Sequence, residues 1–236
     1  MDRYKDKVVI VTGGAKGIGA RIAARFRDEG ARVEIIDKEN GDWYIGDIAQ
    51  KEVLEAFAKY VLDKHGHVDI LVNNALPLMK GIDDCSWEEF VYAQKVGVAA
   101  PFYLSKLFKD YFPQGSSIIN ISSSRDRMSQ PQTESYTAAK GGIASLTHAL
   151  SISLAQQVRV NSISPGWIDT VDYNATDEDK TQHPAGRIGT PDDIASMVLF
   201  LCSSDAGFIT GENIVVDGGM THQMIYHGDN GWTFKH

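Results

Sequence analysis

Cysteine is nearly absent: only Cys85 and Cys202 occur in 236 residues, far apart and in no metal-ligand spacing. That argues against a disulfide framework or a metal site, and it makes a reducing, cytoplasmic setting the expectation. An excess of positive charge is also missing. With 23 Lys and Arg against 31 Asp and Glu, the formal net charge is −8. No nucleic acid and no membrane surface is expected as a partner, because both call for a basic footprint. An acidic small molecule is still allowed as substrate, since a few local cations outweigh a global balance. No apolar run has the length of a membrane span, and Met1 to Lys7 is charged where a signal segment would be apolar. Repeats, low-complexity tracts and long linkers are absent too.

What remains is an ordinary globular composition, 43% hydrophobic and 23% charged, on a chain long enough for one sizeable core. Short apolar runs alternate with longer amphipathic stretches, the pattern of a parallel sheet covered on both faces. Strands are expected at Val8–Val11, Arg32–Asp37, Val68–Val72, Ser117–Ser122, Val158–Ile163 and Asn213–Val216. Helices are expected at Ile18–Arg27, Glu52–His65, from the cap Ser86 to about Tyr111, at Ser135–Gln156, and from Pro191 to near Cys202. The polar, aperiodic segment at about 170–185 reads as a mobile substrate loop, and 220–236 as a C-terminal extension. The expectation is one doubly wound α/β domain over residues 1–236 with a mainly parallel sheet.

Thr12-Gly13-Gly14-Ala15-Lys16-Gly17-Ile18-Gly19 follows the first strand and opens the first helix. Glycines 13, 17 and 19 permit a tight turn and close backbone approach to a pyrophosphate, and the helix N-terminus offers free N–H groups with the positive end of its dipole. Glycines in a turn carry little information alone; between a first strand and a first helix they point to a dinucleotide. Asp37 ends the second strand, where a carboxylate accepts from ribose hydroxyls and repels a 2′-phosphate, so NAD is expected before NADP. Lys16 and Lys38 keep NADP open, although either also reads as a solvated surface lysine.

Tyr136 and Lys140, four apart on a predicted helix, share one face. An ammonium and an oxidised nicotinamide would both favour the phenolate and lower the tyrosine from its usual value near 10. Tyrosine then exchanges a proton with an alcohol or a carbonyl oxygen. Ser123 ends a strand at the carboxyl edge of the sheet, where such sheets bind ligands.

Taken together, these residues resemble the short, compact branch of the short-chain dehydrogenase/reductase family from about Lys7 to Gly219. Further matching pieces are Asp47, Asn73-Asn74-Ala75, the thirteen-residue step from Ser123 to Tyr136, Pro165-Gly166 with Thr170, and the closing Phe208-Ile209-Thr210-Gly211 and Val216-Asp217-Gly218-Gly219. The resemblance implies a Rossmann-type domain whose partners are a small-molecule substrate and further copies of the chain, as a homodimer or homotetramer. It implies hydride transfer between a nicotinamide and a hydroxyl or carbonyl carbon. Ser123 would orient the substrate, Tyr136 would be the acid/base, and Lys140 would hold ribose and tune Tyr136. The cofactor would also meet Gly13, Lys16, Gly17, Ile18 and Gly19, then Asp47 and Ile48 at the adenine, Asn73 and Ala75, Pro165 and Gly166. Ile168 and Thr170 would face the carboxamide.

Two positions depart from the family pattern. Gly97 stands where an asparagine is usual, and Leu76 where a glycine usually follows Asn-Asn-Ala. A backbone carbonyl at 97 can hold the water that the family uses in its proton relay, and an asparagine is expected to be tolerated there if the helix accepts it. Leu76 either shapes the pocket wall or packs. Arg125 reads equally as an anion clamp for the substrate or as a structural ion pair with Glu134 or Asp126. Trp167 is expected at the substrate, with Tyr173 and His183 nearby, His183 more as a solvated residue than as a catalyst. The histidines and aromatics of the tail, Trp232 and Phe234 included, fit no common metal pattern and read as a packed extension. A non-catalytic NAD(P)-binding redox sensor is the rival reading. A nucleotide-sugar epimerase is disfavoured by chain length.

Overall fold

In the computed structural model, which describes residues 3–231 and 233, seven strands form one parallel sheet in the order β3-β2-β1-β4-β5-β6-β7. The strands are β1 Val8–Thr12, β2 Arg32–Asp37, β3 Tyr44–Ile45, β4 Ile70–Asn73, β5 Ser116–Ile121, β6 Val158–Pro165 and β7 Asn213–Val216. All residues of β1, β4 and β5 are buried, because helices cover both faces and each side of every central strand must be apolar. Alternate residues feed two cores. Val8, Ile10, Leu71 and Ile118 pack on one side; Val9, Val11, Val72 and Ile119 pack on the other.

The first core is closed by α2 Lys51–His65, α4 Ala100–Phe108 and α5 Glu134–Ser153, the second by α1 Gly17–Asp28 and α7 Pro191–Cys202. The strand order reverses between β1 and β4, and register places Thr12 beside Asn73 and Asn73 beside Asn120. The crevice outside these strand ends is the topological switch point, where doubly wound sheets take their ligands.

Three elements differ from the sequence expectation. The two-residue β3 is too short to leave a periodic signal. The helix expected from Ser86 to Tyr111 is broken into α3 Trp87–Gln94 and α4 by a π-helical turn at Lys95–Ala99. Pro101 has no N–H to return to the carbonyl of Gly97, four residues earlier, so regular α-helical bonding fails there. Within the segment 170–185, Asp177–Thr181 forms a short helix, α6, because Thr176 and Asp179 make a capping box. The extension beyond Gly219 begins with one turn at Met220–His222, and much of it is exposed, with Met224 at 76% and Tyr226 at 67%. It is therefore not packed over its own domain through these side chains; Trp232 and Phe234 lie outside the described residues. No helix among the described residues is long and apolar enough to cross a membrane.

Candidate active site

The glycine loop is built for close approach. Gly13 and Gly17 have φ of +66° and +59°, and a Cβ on Gly13 would lie 2.7 Å from Ala75 Cα. A Cβ on Gly19 would meet Gly13 O at 2.2 Å, so the first turn of α1 can sit against the loop only without a side chain. Whereas α3, α6 and α7 open on capping boxes, α1 opens on Lys16 with no side-chain cap and no acidic residue in its first turn. Its N–H groups and dipole are left to an external anion. A cavity of about 590 Å³ lies in front of it, lined by Gly13, Lys16, Gly17, Ile18, Gly19, Asp37, Asp47, Ile48, Ala75 and Thr170 among others. The donor set, the bare helix end and the missing Cβ atoms fit a dinucleotide.

Asp37 is held at the end of β2 by two N–H groups, Ala15 to Oδ2 and Glu39 to Oδ1, each at 3.0 Å. Lys16 pairs with Glu39 at 3.3 Å, so its charge is partly answered within the loop. Asp47 accepts from Ala49 N–H at 2.9 Å and from the Tyr92 hydroxyl at 3.2 Å. Asn73 turns into the sheet, where its Nδ2 donates to Asn120 at 2.8 Å and its Oδ1 has no partner among the described residues. Its neighbour Asn74 lines the cavity instead.

The side chain of Asn74 donates to Gly13 O at 2.8 Å and to Thr12 O at 3.1 Å, while Thr12 Oγ1 accepts from the N–H groups of Asn74 and Ala75 at 3.0 and 3.1 Å. This clasp fixes the glycine loop to β4. Sequence reading missed Thr12 and Asn74 as loop-holding residues, although their places at two adjacent strand ends are a usable signal. Tyr92 left none, since it comes from α3 and meets Asp47 only through folding.

Ser123, Tyr136 and Lys140 converge at the carboxyl edge of β5. Lys140 is fully buried among its neighbours, and its Nζ donates to Ile121 O at 2.7 Å and stands 5.4 Å from the centroid of the Tyr136 ring. Ser122 Oγ donates to Lys140 O at 2.8 Å and so ties the strand end to α5. Burial pushes the Lys140 ammonium down to about 7. Burial also raises the Tyr136 phenol above its ordinary value, and against that the Ser123 hydroxyl and the Arg125 charge pull it down. In the chain by itself the influences on the phenol are burial, Ser123 and Arg125, and Lys140 is not among them.

Pro165 closes β6. Gly166 N–H bonds Val216 O at 3.0 Å, and a Cβ there would come within 2.6 Å of Asp217 Cβ. Ile168 bridges to Gly189. Trp167 stacks at a tilt with Tyr173 and His183, centroids 5.5 and 6.2 Å away. His183 is not solvated: it is 2% exposed, with Nδ1 at 3.0 Å from Asp179 O. Neither ion pair expected of Arg125 forms. Its guanidinium meets Met79 Sδ at 3.3 Å and the Gln130 side-chain carbonyl.

A doubly wound sheet with a glycine loop at its switch point, and a tyrosine and a buried lysine at the same carboxyl edge, defines the class of dinucleotide-dependent oxidoreductases. This chain belongs to the short-chain dehydrogenase/reductase family. A family model described as enoyl-(acyl carrier protein) reductase matches residues 13–221. An uncharacterized oxidoreductase of Thermotoga maritima is 40% identical over 93% of this chain and 98% of its own length. An L-fucose dehydrogenase of Mus musculus is 36% identical over 92% and 89%. The structure of an apo SCOR enzyme from Clostridium thermocellum superposes with a TM-score of 0.91 at 44% identity, covering 98% of each chain.

Proposed function

We propose that this chain transfers a hydride between NAD and the hydroxyl or carbonyl carbon of a small substrate, with Tyr136 as the acid/base. The observation that carries the reading is the meeting of the Ser123 hydroxyl, the Tyr136 phenol and the buried Lys140 at the same carboxyl edge of the sheet as the uncapped start of α1. Held along the glycine loop from Gly13 to Gly19, a nicotinamide cofactor would supply the two-electron chemistry as hydride acceptor in oxidation and donor in reduction. Ser123 holds the substrate oxygen, and Tyr136 takes the hydroxyl proton in oxidation and gives it back in reduction. Lys140 stands next to the phenol ring and links it to the end of β5 through Ile121 O. The acidic Asp37, anchored by Ala15 and Glu39 N–H, supports NAD over NADP at the adenosine ribose.

The test is Tyr136→Phe, assayed on aldoses, polyols and hydroxy acids, the first class being included because one relative is an L-fucose dehydrogenase. Only the phenolic oxygen is removed, so kcat is expected to fall by about 10²–10⁴, while NADH affinity read by fluorescence titration stays near the parent's. Activity within severalfold of the parent removes Tyr136 from the chemistry. NADH binding with no turnover by the parent on any compound favours the redox-sensor reading instead.

A further inference from the structure

Arg125 is a cation whose neighbouring carboxylates face elsewhere. It lies on the single helical turn Ser124–Asp126, and its N–H donates to Ser123 Oγ at 3.2 Å, which fixes its backbone to the hydroxyl of the proposed reacting site. The guanidinium is held in place at the surface by Met79 Sδ and the Gln130 carbonyl, a weak acceptor and a neutral one. Neither answers its charge. Asp126 is turned the other way, where Ser164 Oγ at 3.1 Å, the Asn213 amide and Arg127 Nε at 3.1 Å hold it. Glu134 Oε2 accepts from Ile82 N–H at 3.1 Å. Among the described residues Arg125 enters no ion pair, and Nε with the remaining Nη hydrogens has no protein acceptor.

We propose that Arg125 binds a carboxylate of the substrate, which makes the substrate a small hydroxy acid or the corresponding keto acid and not a neutral alcohol. This rests on the placing of Ser123 and Tyr136 at the reacting oxygen. A planar guanidinium with parallel N–H groups matches the two oxygens of a carboxylate. A dianionic phosphate calls for a further cation, and Lys80, in the same loop as Met79, is already paired with Glu89 at 2.5 Å. Oxidation removes a hydride from the carbon and a proton from its hydroxyl; the carboxylate is unchanged and serves to orient.

Matched pairs separate charge from shape: 3-hydroxybutyrate with its methyl ester, lactate with lactamide, and gluconate with glucitol. Each is tested with the parent, Arg125→Gln and Arg125→Lys by two readouts, kcat/KM from nicotinamide absorbance and calorimetric affinity of acetoacetate, pyruvate and their methyl esters for the protein saturated with oxidised NAD, with which a keto acid cannot react. In at least one pair the parent is expected to prefer the acid on the order of 30-fold or more, and Arg125→Gln to reduce that preference to about threefold. Arg125→Lys recovers only part, keeping charge without the planar fork. Preference for the neutral members throughout, or an equal loss on both members in Arg125→Gln, overturns the carboxylate site. Arg125-dependent binding of the keto acids without turnover of any compound leaves this site standing and removes the Tyr136 chemistry. Absence of binding as well as turnover of the acids removes the site.

Discussion

Tyr136 and Lys140 respond to burial in opposite senses. The phenol is raised and the ammonium lowered, and both changes favour the uncharged form. In the chain by itself the proposed acid/base is therefore a neutral phenol, with Ser123 and Arg125 as the local influences toward ionisation. Asp37 is a contrasting case, a carboxylate secured by two backbone donors at the cofactor's proposed ribose end. Replacing it with asparagine keeps the size and one acceptor oxygen while removing the charge. Asp37→Asn is expected to narrow the NADH over NADPH preference by roughly 10- to 100-fold, the value of one charge-assisted hydrogen bond. Fluorescence titration with both dinucleotides reads the ratio directly, and a parent that already binds NADPH more tightly contradicts the assignment. The place of Asp37 at the end of β2 was legible because the strand is a local run that closes on it. Thr12 and Asn74 escaped notice because their role is seen only when two strand ends lie side by side.

Helix α5 and the π-helical turn before α4 meet through their smallest side chains. A Cβ on Gly97 would lie 2.7 Å from Ala139 Cβ and 3.4 Å from Pro77, and Ala139 sits between Tyr136 and Lys140 on α5. The tolerance for asparagine at 97 that the sequence suggested therefore does not hold: even alanine requires a shift of α5. Two effects oppose each other in Gly97→Ala. Removing a glycine from a helical segment gains about 0.5–1 kcal/mol, while overpacking a buried contact costs about 1–3 kcal/mol. The clash wins because its partner is a Cβ rigidly attached to a helix. Denaturant unfolding is expected to show a net loss of about 1 kcal/mol with a fall in kcat. The double variant Gly97→Ala/Ala139→Gly should regain stability. If Gly97→Ala unfolds at the parent's midpoint with full activity, the contact is not tight. A glycine within an apolar helix is visible in the sequence; that it faces Ala139 is not.

Across the whole molecule, Lys140 makes stability depend on pH. Its folded value of about 7 lies below the ordinary 10.5, so between these values the unfolded chain binds more protons than the folded one. Stability then rises with pH through that interval, and the burial penalty is complete below it. Without cofactor, the parent is expected to gain stability from pH 7 to 9 relative to Lys140→Met, measured by urea unfolding at each pH; parallel curves would show that Lys140 is not neutralised by folding. The seven-stranded plan itself was largely readable, because a strand covered on both faces must be a continuous apolar run, and caps and glycine turns are local chemistry. Ser86 with Glu89, Pro191, and the loop from Gly13 to Gly19 carry their signals within a few residues. By itself, then, the sequence determined the alternating strands and helices, the dinucleotide loop and the spacing from Ser123 through Tyr136 to Lys140. The tertiary structure alone decided that the helix before α4 breaks, that His183 is buried, that Asn74 clasps the loop where Asn73 turns inward, and that Asp126 points away from Arg125. Those outcomes depend on which distant side chains meet once the sheet register and helix packing are set, and no spacing along the chain encodes such a meeting.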